Sequence, residues 1–209
     1  MKSFFCATIA FLALPFSNLA LGSAYEVVKD KSQVKWTATK VTGAHNGTVP
    51  VNAGTLEFKD GMITKGRLEI DMQGIKVDDI KDPKYNADLT QHLKSEDFFS
   101  VEKNPKAVFE ITSAKKVEGG KYELSGKLQV KGQSKSLPKP VSATVSQEGD
   151  SILKLAGSLK IDRTLWDIRY KSGKFFPNLG DKMIHDEFTI DFDVTTRLDA
   201  GPAAKPLKK

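Results

Sequence analysis

Apolar and polar residues alternate strictly through most of this chain, and that pattern limits its fold more than any other feature. Val34, Trp36 and Ala38 alternate with Lys35, Thr37 and Thr39. Gly66, Leu68, Ile70 and Met72 alternate with Arg67, Glu69 and Asp71. The same rhythm runs through 107–112, 122–131, 153–161 and 188–195. Period two means strands with one apolar and one wet face. The segments 47–58 and 136–146 alternate less cleanly. Gly54 marks a bulge in the first, and Pro138 and Pro140 make the second an edge or bent strand. Turn signals at Lys59-Asp60-Gly61, Glu118-Gly119-Gly120, Gly132-Gln133-Ser134 and Glu148-Gly149-Asp150 make neighbours antiparallel. Eight such strands suit a barrel or a sandwich, and the length of several favours the barrel. The expected fold is all-β: an eight-stranded antiparallel barrel, with one or two short helices in a long connection.

The N-terminus does not share the rhythm. Lys2 precedes an apolar run over 4–16, and small residues follow at Gly22-Ser23-Ala24, with Ala20-Leu21-Gly22 as an alternative cut. This reads as a signal peptide, residues 1–24, cleaved after Gly22 or Ala24, and implies a periplasmic or secreted protein. The only cysteine, Cys6, leaves with it. A cysteine-free mature chain agrees with export. Residues 198–209 read as a disordered tail, so 25–197 form one domain.

Two connections are too long for hairpins. In 73–106, Tyr85, Leu89 and Leu93 have helical spacing, and Ser95-Glu96-Asp97 resembles an N-cap for a second turn carrying Phe98 and Phe99. In 162–184, Trp166, Tyr170, Phe175 and Phe176 are interleaved with Arg163, Arg169, Lys171, Lys174 and Lys182. Long connections in a compact β domain tend to be functional.

Chemical motifs are sparse. There is no Gly-x-Ser-x-Gly elbow and no Gly-rich phosphate loop. His45, His92 and His185 lack metal-ligand spacing, and Asp71, Asp78, Asp79 and Asp82 fit no calcium loop, so no metal is expected. The net charge of +6 comes from lysines spread over many strands rather than one stripe. That excludes a nucleic-acid groove and leaves weak, transient attraction to anionic membrane surfaces. Asn46-Gly47-Thr48 matches a glycosylation sequon but is read as a turn with positive φ.

Several stretches together resemble the YceI-like family of polyisoprenoid-binding proteins. They are His92-Leu93-Lys94-Ser95-Glu96-Asp97-Phe98-Phe99 with Asn104-Pro105, Gly126-Lys127-Leu128-Gln129-Val130-Lys131-Gly132, and Ile161-Asp162-Arg163-Thr164-Leu165-Trp166. The likeness covers roughly residues 25–197. It departs at Leu137-Pro138-Lys139-Pro140 and at Asp167, where glycine is frequent after the aromatic. The resemblance implies a lipocalin-like, exported barrel enclosing the isoprenoid chain of a polyprenyl lipid or quinone, with no covalent cofactor and no catalytic residue.

Candidate ligand-binding residues are His92, Phe98, Phe99, Phe109, Gly126, Leu128, Gly157, Arg163, Trp166 and Phe176. Each carries a plainer alternative. Phe98 and Phe99 close one barrel end by packing, or they touch ligand. His92 fixes the helix, or it meets a headgroup. Gly126 and Gly157 line a hollow, or they relieve crowding. Arg163 pairs with Asp162 or Asp186, or it faces a quinone carbonyl or phosphate. Trp166 and Phe176 border the mouth, or they plug the barrel end. Two rival functions are a small exported enzyme using His92 with Asp88 or Asp97, and a ligand-free interaction protein.

Overall fold

The computed structural model describes residues 23–199. The expected leader up to Gly22, and the tail from Ala200, lie outside the described residues. The domain edges differ slightly from the sequence reading. Ser23 and Ala24 open the first strand, paired with Phe58 and Glu57. Leu198 ends the last strand opposite Tyr25.

The strands in chain order are β1 (Ser23–Val27), β2 (Gln33–Lys40), β3 (Gly43–Val49), β4 (Val51–Lys59), β5 (Met62–Asp71), β6 (Lys76–Val77), β7 (Lys106–Lys116), β8 (Lys121–Val130), β9 (Gln133–Ser136), β10 (Val141–Glu148), β11 (Ile152–Asp162) and β12 (Ile184–Leu198). One helix, α1 (Pro83–Lys94), lies between β6 and β7. β1 and β2 lie end to end along β12. β3 and β4, joined at Pro50, run back along them. Together they behave as two long strands. With β5, β7, β8, β10, β11 and β12 they form a closed eight-stranded antiparallel barrel.

The less regular strands break where the backbone demands it. Leu137-Pro138-Lys139-Pro140 separates β9 from β10, because proline cannot donate to a ladder. The register of β4 shifts on both sides of Gly54 rather than at it. Asn46 and Gly47 are not a turn but mid-strand residues of β3. A Cβ on Gly47 would fall 1.8 Å from the Lys76 carbonyl oxygen and 2.8 Å from the Trp36 ring. Glycine is there for close approach, not for positive φ.

The helix forms where its spacing predicts. Asp82 caps it, accepting from the amides of Lys84 and Tyr85, and Pro83 occupies its first turn. Leu93 is buried, while Tyr85 faces solvent. Ser95 ends this helix and also opens the next turn, its carbonyl accepting from the amides of Phe98 at 3.2 Å and Ser100 at 2.8 Å. Its hydroxyl donates to the His92 carbonyl at 2.8 Å, and Phe98 and Phe99 follow in turns.

The barrel has two unlike ends. At the hairpin end, β4–β5, β7–β8 and β10–β11 are joined by tight turns over a core of Tyr25, Leu56, Ile63, Tyr122, Leu124 and Leu153. At the capped end, 72–105 and 163–183 fold over the opening. They bury Leu93, Phe98, Val101, Trp166 and Ile168 with Trp36 and Met72.

Candidate functional site

Between the two cores lies a cavity of about 220 Å³. Inward positions of nearly every wall strand line it, among them Trp36, Leu68, Phe109, Leu128, Leu159 and Phe192. Its surface is almost wholly apolar, although Thr55, Arg67, Arg163, His185 and Thr196 also contribute atoms to it. Period-two alternation puts the apolar set inside, and barrel closure then gathers it around one volume.

Five of the ten sequence-derived candidates line this cavity: Phe98, Phe99, Phe109, Leu128 and Arg163. Phe109 and Leu128 face each other across β7 and β8. Phe98 is buried and Phe99 half-buried, and both descend from the segment after α1.

The other five sit elsewhere. Gly126 lies under the Phe109 ring: a Cβ there would stand 2.5 Å from Phe109 Cε2 and 2.6 Å from the Glu110 carbonyl oxygen. Gly157 is covered in the same way by Phe192, with the Ser142 carbonyl oxygen at 2.5 Å. These glycines do not line a hollow. They let a neighbouring ring lie flat on the wall, and the ring then forms the lining. Trp166, 1% exposed, donates from Nε1 to the Leu128 carbonyl at 3.1 Å and is part of the plug. Phe176 is 47% exposed on the outside. His92 packs edge-on against Phe98 and Tyr170, with ring centroids at 5.0 and 4.6 Å. Its Nε2 lies 3.0 Å from Asp97 Oδ2, so Asp97 and not Asp88 is its carboxylate neighbour. The pair lies outside the cavity lining.

Arg163 borders the cavity but has no donor to offer a headgroup. Nε donates to the His185 carbonyl at 3.2 Å. Nη1 donates to Ile168 at 3.0 Å and Tyr170 at 2.8 Å. Nη2 donates to Ile184 at 3.1 Å, with Asp186 Oδ1 at 3.5 Å. All five guanidinium N–H groups are therefore used, and they tie the end of β11 to the start of β12. Burial pushes this guanidinium down, against the pull of Asp186 and Asp162. Asp162 instead pairs with Lys174 at 2.6 Å. Burial alone would raise its pKa, but hydrogen bonds from Lys174 and Thr164 outweigh that and hold it below its ordinary value. Asp167 has a left-handed φ of 59°, which explains why glycine suits the position after Trp166.

Several lining residues were not singled out from the sequence: Trp36, Leu68, Ile111, Leu159, Ile190 and Phe192. All but Ile190 and Phe192 lie on strands other than β12. Alternation marked them as inward, but only ring closure shows which inward residues meet the empty space. Among the described residues no three of His, Cys, Asp and Glu converge, and no buried side-chain nitrogen or oxygen lacks a partner. The site is chemically a hydrocarbon container.

Comparison with known proteins agrees with this geometry. Over 64 residues the chain is 41% identical to UPF0312 protein plu2095 of Photorhabdus laumondii, a match spanning 31% of this chain and 32% of that protein. The fold is shared with BcnA of Burkholderia cenocepacia, at TM-score 0.64 and 22% identity, covering 81% of this chain and 98% of that one. It is shared with a polyisoprenoid-binding domain of Saccharophagus degradans, at TM-score 0.60 and 12% identity, covering 85% and 99%. A Campylobacter jejuni YceI protein aligns at TM-score 0.53 and 15% identity over 95% and 99%. The family model for the YceI-like domain matches residues 25–196, nearly the whole barrel, and the chain belongs to that family.

Proposed function

We propose that this protein is an exported carrier that holds the chain of an isoprenoid lipid, a polyprenyl lipid or the tail of an isoprenoid quinone, inside its barrel. The apolar cavity carries the reading. A volume of 220 Å³ holds roughly seven to nine carbon atoms, on the scale by which a cavity of about 150 Å³ takes benzene. Burying that many carbons is worth about 6–7 kcal/mol gross at ~0.8 kcal/mol each. Association and ordering cost about 4–15 kcal/mol, so the cavity as it stands seats one or two isoprene units, and tight binding of a longer tail requires it to widen. The mechanism is sequestration, not catalysis. The neutral walls offer the ligand hydrocarbon contact, and Arg163 keeps the plug in place.

Native mass spectrometry before and after organic extraction tests this. A bound mass in the isoprenoid series, lost on extraction and regained from a polyprenol or quinone, is the expected result. Protein that carries no lipid and takes none up would refute it. Export is tested by the N-terminus of protein from its native host. Cleavage after Gly22 leaves Ser23 and Ala24 to pair with β4, so a chain starting at Ser23 is expected. A chain starting at Met1 would overturn export.

A further inference from the structure

We propose that the capped end of the barrel is a docking surface for an anionic lipid bilayer, with Phe175 and Phe176 as its inserting residues. This rests on the carrier reading, since it names where the cargo is exchanged.

The exposed large hydrophobic residues are distributed unevenly. Among the described residues they are Val41, Tyr85, Leu165, Phe175 and Phe176. All five lie in segments that connect strands at the capped end. The three hairpins at the other end carry none. Scattered exposed apolar residues need no explanation, but a cluster on one face marks an interaction site.

The cluster is held in place by hydrogen bonds. The amides of Phe175 and Phe176 both donate to the carbonyl of Ser172, at 3.1 and 3.0 Å, and Ser172 is fully buried. The Val41 amide donates to the Met183 carbonyl at 3.2 Å, and that of Ile184 to the Lys171 carbonyl at 3.0 Å. The β2–β3 turn and the segment that carries the Phe pair are therefore both tied to the entry of β12. Ile184 and His185 on that entry also line the cavity.

Charge selects the partner. Between 169 and 182 stand Arg169, Lys171, Lys174 and Lys182, with Asp181 as the only acid. Arg169 is committed to Asp167, and Lys174 to Asp162 and Asp186. Lys171 and Lys182 have no ion-pair partner among the described residues. Two adjacent phenylalanines, with the Arg169 guanidinium 4.7 Å over the Phe175 ring and Lys171 and Lys182 without ion pairs on either side in sequence, fit a bilayer interface: rings at headgroup level and cations among anionic lipids.

The test is co-sedimentation of the full mature chain with phosphatidylglycerol/phosphatidylcholine vesicles and with pure phosphatidylcholine vesicles, at two salt concentrations. The parent protein is expected to bind the anionic vesicles, less so at high salt. F175S/F176S and K171E/K182E are each expected to weaken binding roughly ten-fold or more. K59E/K121E, which removes the same charge from the hairpin end, is expected to bind nearly as the parent does. Circular dichroism establishes that each variant is folded. No binding by the parent, parent-like binding by both capped-end variants, or an equal loss in the hairpin-end variant would overturn the proposal. Native mass spectrometry of the same samples separates it from the carrier reading. Lipid-free protein that still docks through Phe175 and Phe176 would sink the cargo and leave the surface standing.

Discussion

The two ends of the barrel are closed by different physics. At the hairpin end, three tight turns continue the ladders, and Tyr122 reaches across to donate its hydroxyl to the Gly61 carbonyl. The core beneath is contiguous, and Leu153 is fully buried. At the capped end, long connections replace ladders. They are held by irregular contacts: side-chain anchors such as Arg163 on four carbonyls and Asp186, Trp166 on Leu128, and Asp79 on His45 and the Asn46 amide, isolated backbone bonds such as Met72 to Pro105, and the apolar core around Trp166 and Ile168. A ladder spreads stability over many equivalent bonds, so it opens as a unit. A cap held by side-chain anchors is expected to open locally, which is what the proposed cargo needs for entry.

The largest test removes an anchor. Trp166→Ala is expected to cost ~3–5 kcal/mol, with amide exchange speeding first in 162–184 while the β7–β8 ladder stays protected. Leu153→Ala, at ~2–5 kcal/mol, is expected to speed exchange throughout. Equal, global acceleration in both variants would erase the distinction between the ends.

Next comes the wall itself. Gly126→Ala and Gly157→Ala each place a Cβ against a ring and a carbonyl, at an expected ~1–3 kcal/mol. Displaced, Phe109 or Phe192 swings into the cavity and lowers lipid occupancy by native mass spectrometry. Variants as stable and as well loaded as the parent would show that the rings do not need the glycines.

Acid is a milder probe. Asp79 and Asp162 both belong to the capped end. For each, burial pushes the carboxyl up, but hydrogen bonds (from Asn46 and His45, and from Lys174 and Thr164) pull it further down. Their folded pKa values lie below the ordinary 3.8. The stability they supply is therefore complete above that pH and is lost as pH falls below it. Trp36 and Trp166 are the only tryptophans, and both sit in the capped-end core. Tryptophan fluorescence should therefore begin to report loss of the cap as pH falls below 3.8. A coincident transition in far-ultraviolet dichroism would mean that the cap and the ladders unfold together.

The smallest stability effect is expected at the docking pair. Phe175 and Phe176 are nearly half exposed, so F175S/F176S should shift unfolding by no more than about 0.5 kcal/mol per site. A large loss of stability would make the pair part of the plug rather than an outward surface.

Much of the fold was legible because alternation is a local signal. It gave the eight walls, the hairpin turns and the inward set that contains Phe109 and Leu128. The helix was legible from Asp82, Pro83 and the spacing of Leu89 and Leu93. Ser95 does open the turn that carries Phe98 and Phe99, but through its carbonyl. Its hydroxyl reaches back to His92, and a serine beside acids looks the same in sequence whichever way it points. Arg163 and Trp166 were marked as special, but the sequence left each with two roles. Their partners, the carbonyls of His185 and Leu128, are 22 and 38 residues away, and no local pattern encodes them.

The sequence by itself determined which residues face inward, where the chain turns and that the interior is hydrocarbon, because side-chain direction in a strand follows from period two alone. Only the tertiary structure decided what the glycines are for, which candidates meet the cavity and which end is closed by connections rather than ladders. Those outcomes depend on cross-strand register and barrel closure. Register sets Phe192 beside Gly157 and Phe109 diagonal to Gly126, and closure turns a row of inward residues into a wall around one volume.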